Sequence, residues 1–351
     1  MQIIYEIFGE MEKGASLDNI VKLIEYGQIR NHTTEEGKTL LMSACRWGRS
    51  DLVKYLLEDD EVFIDQKDHY GRTALMFAAA YCHEEIVRYL VEKGADINLE
   101  SKRGWTVLKK AVSGGSLAIV RYLVEDCSMD IKRKSHRGAD PLFYAAESDH
   151  LEILKYFIEE RKASVDQLDR HGSSILMCAA RKGADSVIAY LIESVSVDKD
   201  VLCHRGMNAV MHAIEENHLT TVRLLIEQLG FDKNYRDGDG WNYLIFASIH
   251  GHLGIVKFFV EACGISVNST SFSGTTPVMY ACLEGHLDII RYLTEEKKAD
   301  LSIANKDNQT VMDIAEENGN HHVLDYFRTL SLWRGTGINS KSLQLETRTG
   351  P

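Results

Sequence analysis

The chain has 351 residues, with 52 acidic against 40 basic side chains and a formal net charge of -12 at pH 7. That balance excludes general affinity for nucleic acid or acidic membranes, whose phosphates reward lysine and arginine, while leaving room for a local basic patch. Seven scattered cysteines with no Cys-x-x-Cys pair exclude a disulfide framework and a zinc knuckle; they fit reduced thiols in the cytoplasm, with the nucleus as the alternative.

In chain order, residues 1–36 carry two helical patterns, Ile3 to Met11 and Leu17 to Tyr26, that read as a degenerate N-terminal capping repeat. Glu6, Glu10 and Glu12 interrupt the apolar opening and no small-residue cleavage pattern follows, so it does not read as a secretory signal. From residue 37 a glycine followed two places later by a small polar residue returns at near-fixed spacing. The pairs are Gly37/Thr39, Gly71/Thr73, Gly104/Thr106, Gly138/Asp140, Gly172/Ser174, Gly206/Asn208, Gly240/Asn242 and Gly274/Thr276, with Asn308/Thr310 as an altered ninth member. The steps are 34, 33 and then 34 throughout. Such a period means one supersecondary unit repeated over residues 37–330, each copy burying its apolar face only on its neighbours, in one elongated domain. Asparagine at 308 tolerates the left-handed region better than most residues, and Asp313, Glu316, Glu317 and Asn318 give the last copy the polar face of a C-terminal cap. Residues 331–351 read as a flexible polar tail. No run approaches the roughly 18 apolar residues of a membrane span.

The clearest unit runs from Asp68 to Asn98. Gly71 permits a positive φ in a tight turn, and Thr73 caps a first helix predicted from Ala74 to Tyr81, where small Ala78 and Ala79 allow a neighbouring helix to approach. A second helix, Glu84 to Glu92, sets Ile86, Val87, Leu90 and Val91 on one face, and Gly94 ends it. Asp-x-x-Gly-x-Thr, then Leu, Ala-Ala, His, Ile-Val, Leu and Gly-Ala-Asp-Ile-Asn stand in the order of an ankyrin repeat, which this unit closely resembles, over about residues 35 to 330. The resemblance implies an all-α solenoid of stacked helix-turn-helix units with projecting turn or β-hairpin tips. It also implies a non-catalytic scaffold or adaptor, monomeric, that binds partner proteins on a concave face.

Two departures from that family stand out. Leu-Met replaces its Leu-His in several copies (Leu41-Met42, Leu75-Met76, Leu176-Met177), which removes the usual histidine hydrogen bonds there. Most copies also carry one extra residue where Gly-Ala-Asp stands, as in Glu159 to Asp166, so the second helix is expected to run slightly longer. The Thr-x-Leu-Met variant is similar to ankyrin proteins of unicellular eukaryotes, host-associated bacteria and large DNA viruses. A host-targeted effector using the same surface is therefore the alternative.

No constellation supports catalysis. Gly335 to Ser342 imitates a phosphate loop but has Ser340 where the second glycine belongs and no preceding strand; Gly238-Asp-Gly240 lacks the third glycine of a dinucleotide fingerprint. His83, His150, His218, His252 and His286 hold the Gly-His position of the family, where the role is structural. His136, His171 and His204 stand on successive tips, but stacked repeats lie about 10 Å apart and zinc bonds span only about 2 Å. Neither a metal nor a cofactor is expected. Glu92, Glu125, Glu159, Glu193, Glu227 and Glu261 recur near the ends of second helices and read as a solvated face.

A partner is expected where the repeat does not dictate the residue. The two residues before the turn glycine are Lys102-Arg103, His136-Arg137, Arg170-His171 and His204-Arg205 in four consecutive copies, a basic stripe suited to an acidic or phosphorylated segment. Trp47 and Tyr81 share a late first-helix position, while Tyr70 and Trp105 flank turn glycines; rings so placed are typical interface anchors. Trp241 and Ile249, with Phe272 and Leu283, form a weaker C-terminal group. Contact of the basic tips with nucleic acid or anionic lipid is an alternative of another class, disfavoured because four tips offer few phosphate contacts. The methionines at 42, 76, 177, 211 and 279 share one framework slot and read as packing. Lys110 and Cys178 break the bulky row one place later, and nothing in the sequence accounts for Lys110.

Overall fold

The computed structural model describes residues 2–27, 31–58 and 61–334. The phosphate-loop look-alike at 335–342 and most of the expected tail lie outside them. By contacts the chain divides into two units, Met1–Ala179 with Ser186–Leu191, and Ala180–Asp185 with Ile192–Pro351. Within each unit, first helices pack on first helices of the next repeat and second helices on second. The regular structure of the described residues is helical, with isolated bridges at Thr33–Thr39 and Leu168–Ser174 and no strand, so the tips are hairpin-like turns without a ladder. The N-terminal patterns form helices Gln2–Glu12 and Leu17–Gly27, and the last helix, His321–Arg334, runs past the expected end at Leu330.

Each repeat begins with the same hydrogen-bonded turn. In the Gly71 repeat, Asp68 Oδ1 accepts from the amides of Tyr70 at 2.9 Å and Arg72 at 2.8 Å, closing a side-chain turn that Gly71 completes at φ +76°. Thr73 then accepts from Met76 N at 3.4 Å, and the first helix, Ala74–Ala80, follows as the cap predicts. Asn308 adopts φ +59°, the left-handed conformation its position in the period requires.

The extra residue in most copies is absorbed inside the helix. In the Gly71 repeat the second helix, Glu84–Glu92, is α-helical throughout. The longer copies instead end in a π turn, as at Tyr122–Asp126, Tyr156–Glu160 and Tyr292–Glu296. There the closing amide reaches back five residues: Cys127 N to Tyr122 O, Arg161 N to Tyr156 O and Lys297 N to Tyr292 O are each 3.1 Å. The next residue must be left-handed. Gly230 and Gly264 fill that slot in two copies, but Ser128, Lys162, Ser196 and Lys298 fill it in others at φ +52° to +60°.

Two devices bind neighbouring repeats. On one side, the rings of His83, His150, His218 and His286 lie on the glycine of the preceding repeat, so that a Cβ on Gly48, Gly115 or Gly251 would meet the next histidine at 2.5–2.6 Å; Asn217 holds that place before His252. Its Nε2 donates to a carbonyl of that repeat: His83 to Arg46 at 3.0 Å, His150 to Ser113 at 3.2 Å, His218 to Arg181 at 3.1 Å and His286 to Ile249 at 2.9 Å. On the other side, tyrosine hydroxyls donate to the glutamates of the preceding second helix: Tyr156 to Glu125 at 3.0 Å, Tyr190 to Glu159 at 2.8 Å and Tyr292 to Glu261 at 3.0 Å. Those glutamates therefore correct the reading of a merely solvated face. Basic side chains close the same joints, with Arg88 over Tyr122 at 4.2 Å and Arg121 over Tyr156 at 4.4 Å.

Candidate partner-binding surface

With the histidine and tyrosine faces committed to inter-repeat bonds, the tips and late first-helix residues remain. In the first unit the tips are laced together through backbone: Lys102 N donates to Tyr70 O at 2.9 Å and Arg170 N to Arg137 O at 3.0 Å. This brings the candidate tip residues of adjacent repeats side by side, yet their charges differ in availability. Lys102, Arg103, Arg170 and His171 are exposed, and among the described residues Arg103 and Arg170 have no carboxylate partner within salt-bridge distance. Arg137 is half-buried, paired with Glu147 at 2.9 Å and lying over Tyr144 at 5.5 Å. His136 is exposed on one edge but seats its ring on Gly104. In the second unit His204 and Arg205 are exposed, with Arg205 held by Glu215 at 2.8 Å.

The aromatic candidates divide likewise. Trp47 (39% exposed), Tyr81 (46%) and Tyr70 (56%) are open to solvent. Trp105 is half-buried, 4.7 Å from the ring of Tyr144. Trp241 is half-buried as well, donating from Nε1 to Tyr280 OH at 2.8 Å and packing on Phe246. Ile249 is half-buried and supplies the carbonyl that His286 holds.

The exposed rings stand beside cations that the sequence reading did not single out. The Arg46 guanidinium lies between Trp47 and Tyr81, 5.4 Å and 5.3 Å from their centroids, and its buried Nε carries no hydrogen bond. Arg72 lies over Tyr70 at 4.8 Å and Phe77 at 4.7 Å while pairing with the buried Asp68 at 2.6 Å. Lys110 gains an account: its Nζ sits 4.2 Å over the Trp105 ring, and burial together with the repulsion of Arg72 and Arg103 lowers its pKa. Two clefts open among these groups. One of about 360 Å³ touches Arg46, Trp47, Phe77 and Lys38; the other, of about 320 Å³, is lined by Arg72, Met76, Phe77, Ala80, Tyr81 and Lys110. Phe77 belongs to both. The signal was in the sequence, because Arg46 precedes Trp47 and Arg72 follows Gly71, but only the fold shows that they share a face.

One more lysine was missed. Lys109 stands in the slot that methionine fills elsewhere, fully buried, with Nζ donating to Gly104 O at 2.9 Å. Burial lowers its pKa from 10.5 to about 8.

These repeating turns, histidine brackets and paired helices agree with the comparison by sequence family. A family model described as ankyrin repeats (3 copies) matches residues 11–101, 64–135, 108–201, 176–271 and 244–332. The chain belongs to the ankyrin-repeat family. None of the curated proteins compared with it matches. Ankyrin repeats are in general non-catalytic modules of protein–protein interaction. Among the described residues no helix is long and apolar enough to cross a membrane, and no group of three His, Cys, Asp or Glu side chains is placed to hold a metal ion.

Proposed function

We propose that this ankyrin-repeat chain is a cytoplasmic, monomeric adaptor that holds an acidic or phosphorylated segment of a partner protein against its tips and first helices. The observation that carries the reading is a set of solvent-open rings with cations among them: Arg46 lies over Trp47 and Tyr81, Lys110 lines a cleft with Tyr81, and Arg103 and Arg170 stand exposed on the tips. Rings of this kind bury much area at low entropic cost, and cations on a chain of net charge -12 steer a negative segment to one place. Seven free cysteines fit a reducing compartment.

The test compares partner capture by full-length protein with that by the Arg103→Glu/Arg170→Glu variant over a range of salt. Those positions are chosen because Arg137 and Arg205 already have carboxylate partners, and reversing Arg137 would set two carboxylates against each other. The reading expects capture to fall several-fold, its salt dependence to flatten, and the melting temperature to stay within about 2 °C, as for surface substitutions. Capture with unchanged strength and salt slope contradicts it.

A further inference from the structure

The cleft around Lys110 permits a finer statement, which rests on the reading of this chain as a partner-binding module. Lys110 is half-buried, and its ammonium is held over Trp105 rather than by a carboxylate. The charges that act on it are Arg72 and Arg103, both repulsive, and Asp68, which is already bonded to Arg72 at 2.6 Å. Two cations, Arg72 and Lys110, thus line an otherwise apolar cleft walled by Met76, Phe77, Ala80 and Tyr81, with Arg103 near enough to repel Lys110 and the one nearby carboxylate, Asp68, already paired with Arg72. A partly desolvated cation with surplus positive charge around it is stabilised by an incoming carboxylate more than a solvated one is. The adjacent walls offer a place for an apolar side chain one or two residues away.

We infer that this cleft seats an Asp or Glu side chain of an extended partner peptide on Lys110, with a neighbouring apolar residue of the peptide packed on Met76, Phe77 and Tyr81. Tyr81 ties the site to the next cleft, since Arg46 lies over the same ring that walls the Lys110 cleft. A peptide running past Tyr81 therefore meets the Arg46 guanidinium. The small side chain of Ala80, at the end of its helix, is what leaves the cleft open.

The probe is a random dodecapeptide phage library selected on full-length protein, followed by fluorescence-polarisation titration of the selected synthetic peptides. The expected result is enrichment of Asp or Glu next to Leu, Ile, Met or an aromatic residue. Affinity should weaken at least tenfold in Lys110→Glu and in Ala80→Arg, and by much less in Lys110→Arg, with thermal melts of all three variants close to wild type. If Lys110→Glu melts early, Ala80→Arg, which blocks the cleft without removing a buried group, decides alone. Selected peptides that bind both variants as tightly as wild type overturn the inference while leaving the partner-binding reading intact. Failure to select any peptide, on a library that yields binders to a control ankyrin-repeat protein, overturns both.

Discussion

Nε2 of His83 lies 3.0 Å from the carbonyl oxygen of Arg46, 37 residues earlier in the chain. The bond requires Nε2 to carry the proton, and it fixes the end of the first helix from which Arg46 and Trp47 project. A bond that joins two repeats therefore also sets part of the candidate binding surface.

Replacing His83 with Ala leaves a half-buried carbonyl without its donor, so the account expects a loss of about 1 kcal/mol in urea unfolding. His83→Asn should lose less, because Asn320 performs the same task in the last repeat, donating from Nδ2 to Cys282 O at 2.9 Å. Equal losses in the two variants would show that ring packing, not the hydrogen bond, is what matters.

Lys109→Met installs the residue found in the same slot of the preceding repeat, Met76, and removes a buried cation. With a pKa lowered from 10.5 to about 8, the folded chain binds fewer protons than the unfolded chain between those values, so the lysine's penalty is full below pH 8 and fades toward pH 10.5. At 1.36 kcal/mol per pKa unit the variant should be more stable by about 3 kcal/mol at pH 7, and the gap should narrow on titration to pH 10. A gap independent of pH contradicts the assignment.

The π-turn ends make paired predictions of opposite sign. Lys162 and Lys298 hold φ of +52° and +56° without being glycine. Changing either to Gly relieves left-handed strain and should raise stability by about 0.5–1 kcal/mol after the entropy glycine adds to the unfolded chain. Gly264→Ala in the equivalent slot, at φ +71°, should lower it by a similar amount. Calorimetric melts of the three variants check both directions.

Tyr156→Phe keeps the packing of a buried ring and deletes its hydrogen bond to Glu125. The expected cost is about 1 kcal/mol at neutral pH. Burial first, and the bond to Glu125 second, push this hydroxyl up to about 12, so its share of stability is full below the ordinary value near pH 10 and is lost as pH rises toward 12. Over that alkaline range the wild type should lose its advantage over the variant.

Much of this was legible from the period alone. Once Gly37 to Asn308 are aligned, the turn, the Thr73 cap, the helix bounds of the Gly71 repeat and the structural duty of His83 follow from local chemistry. The extra residue was visible too, but not that a π turn would take it up, because that choice depends on keeping the next tip in register. Tyr156 and Glu125 each recur at the same period, and aligning both columns would have exposed their bond; treating Glu125 by itself hid it. Arg46 beside Trp47 and Lys110 five residues after Trp105 were visible in the sequence, but that Arg46 also lies over Tyr81 of the next repeat and that Lys110 shares a cleft with Tyr81 come only from the stack.

The most direct measurement is hydrogen exchange on the full-length protein with and without a saturating selected peptide, read by mass spectrometry over segments 66–82, 84–92 and 100–115. The account predicts slowed exchange at the tips and first-helix ends in 66–82 and 100–115, and no change in the second helix at 84–92. Protection centred on 84–92, or confined to repeats after residue 200, would contradict it.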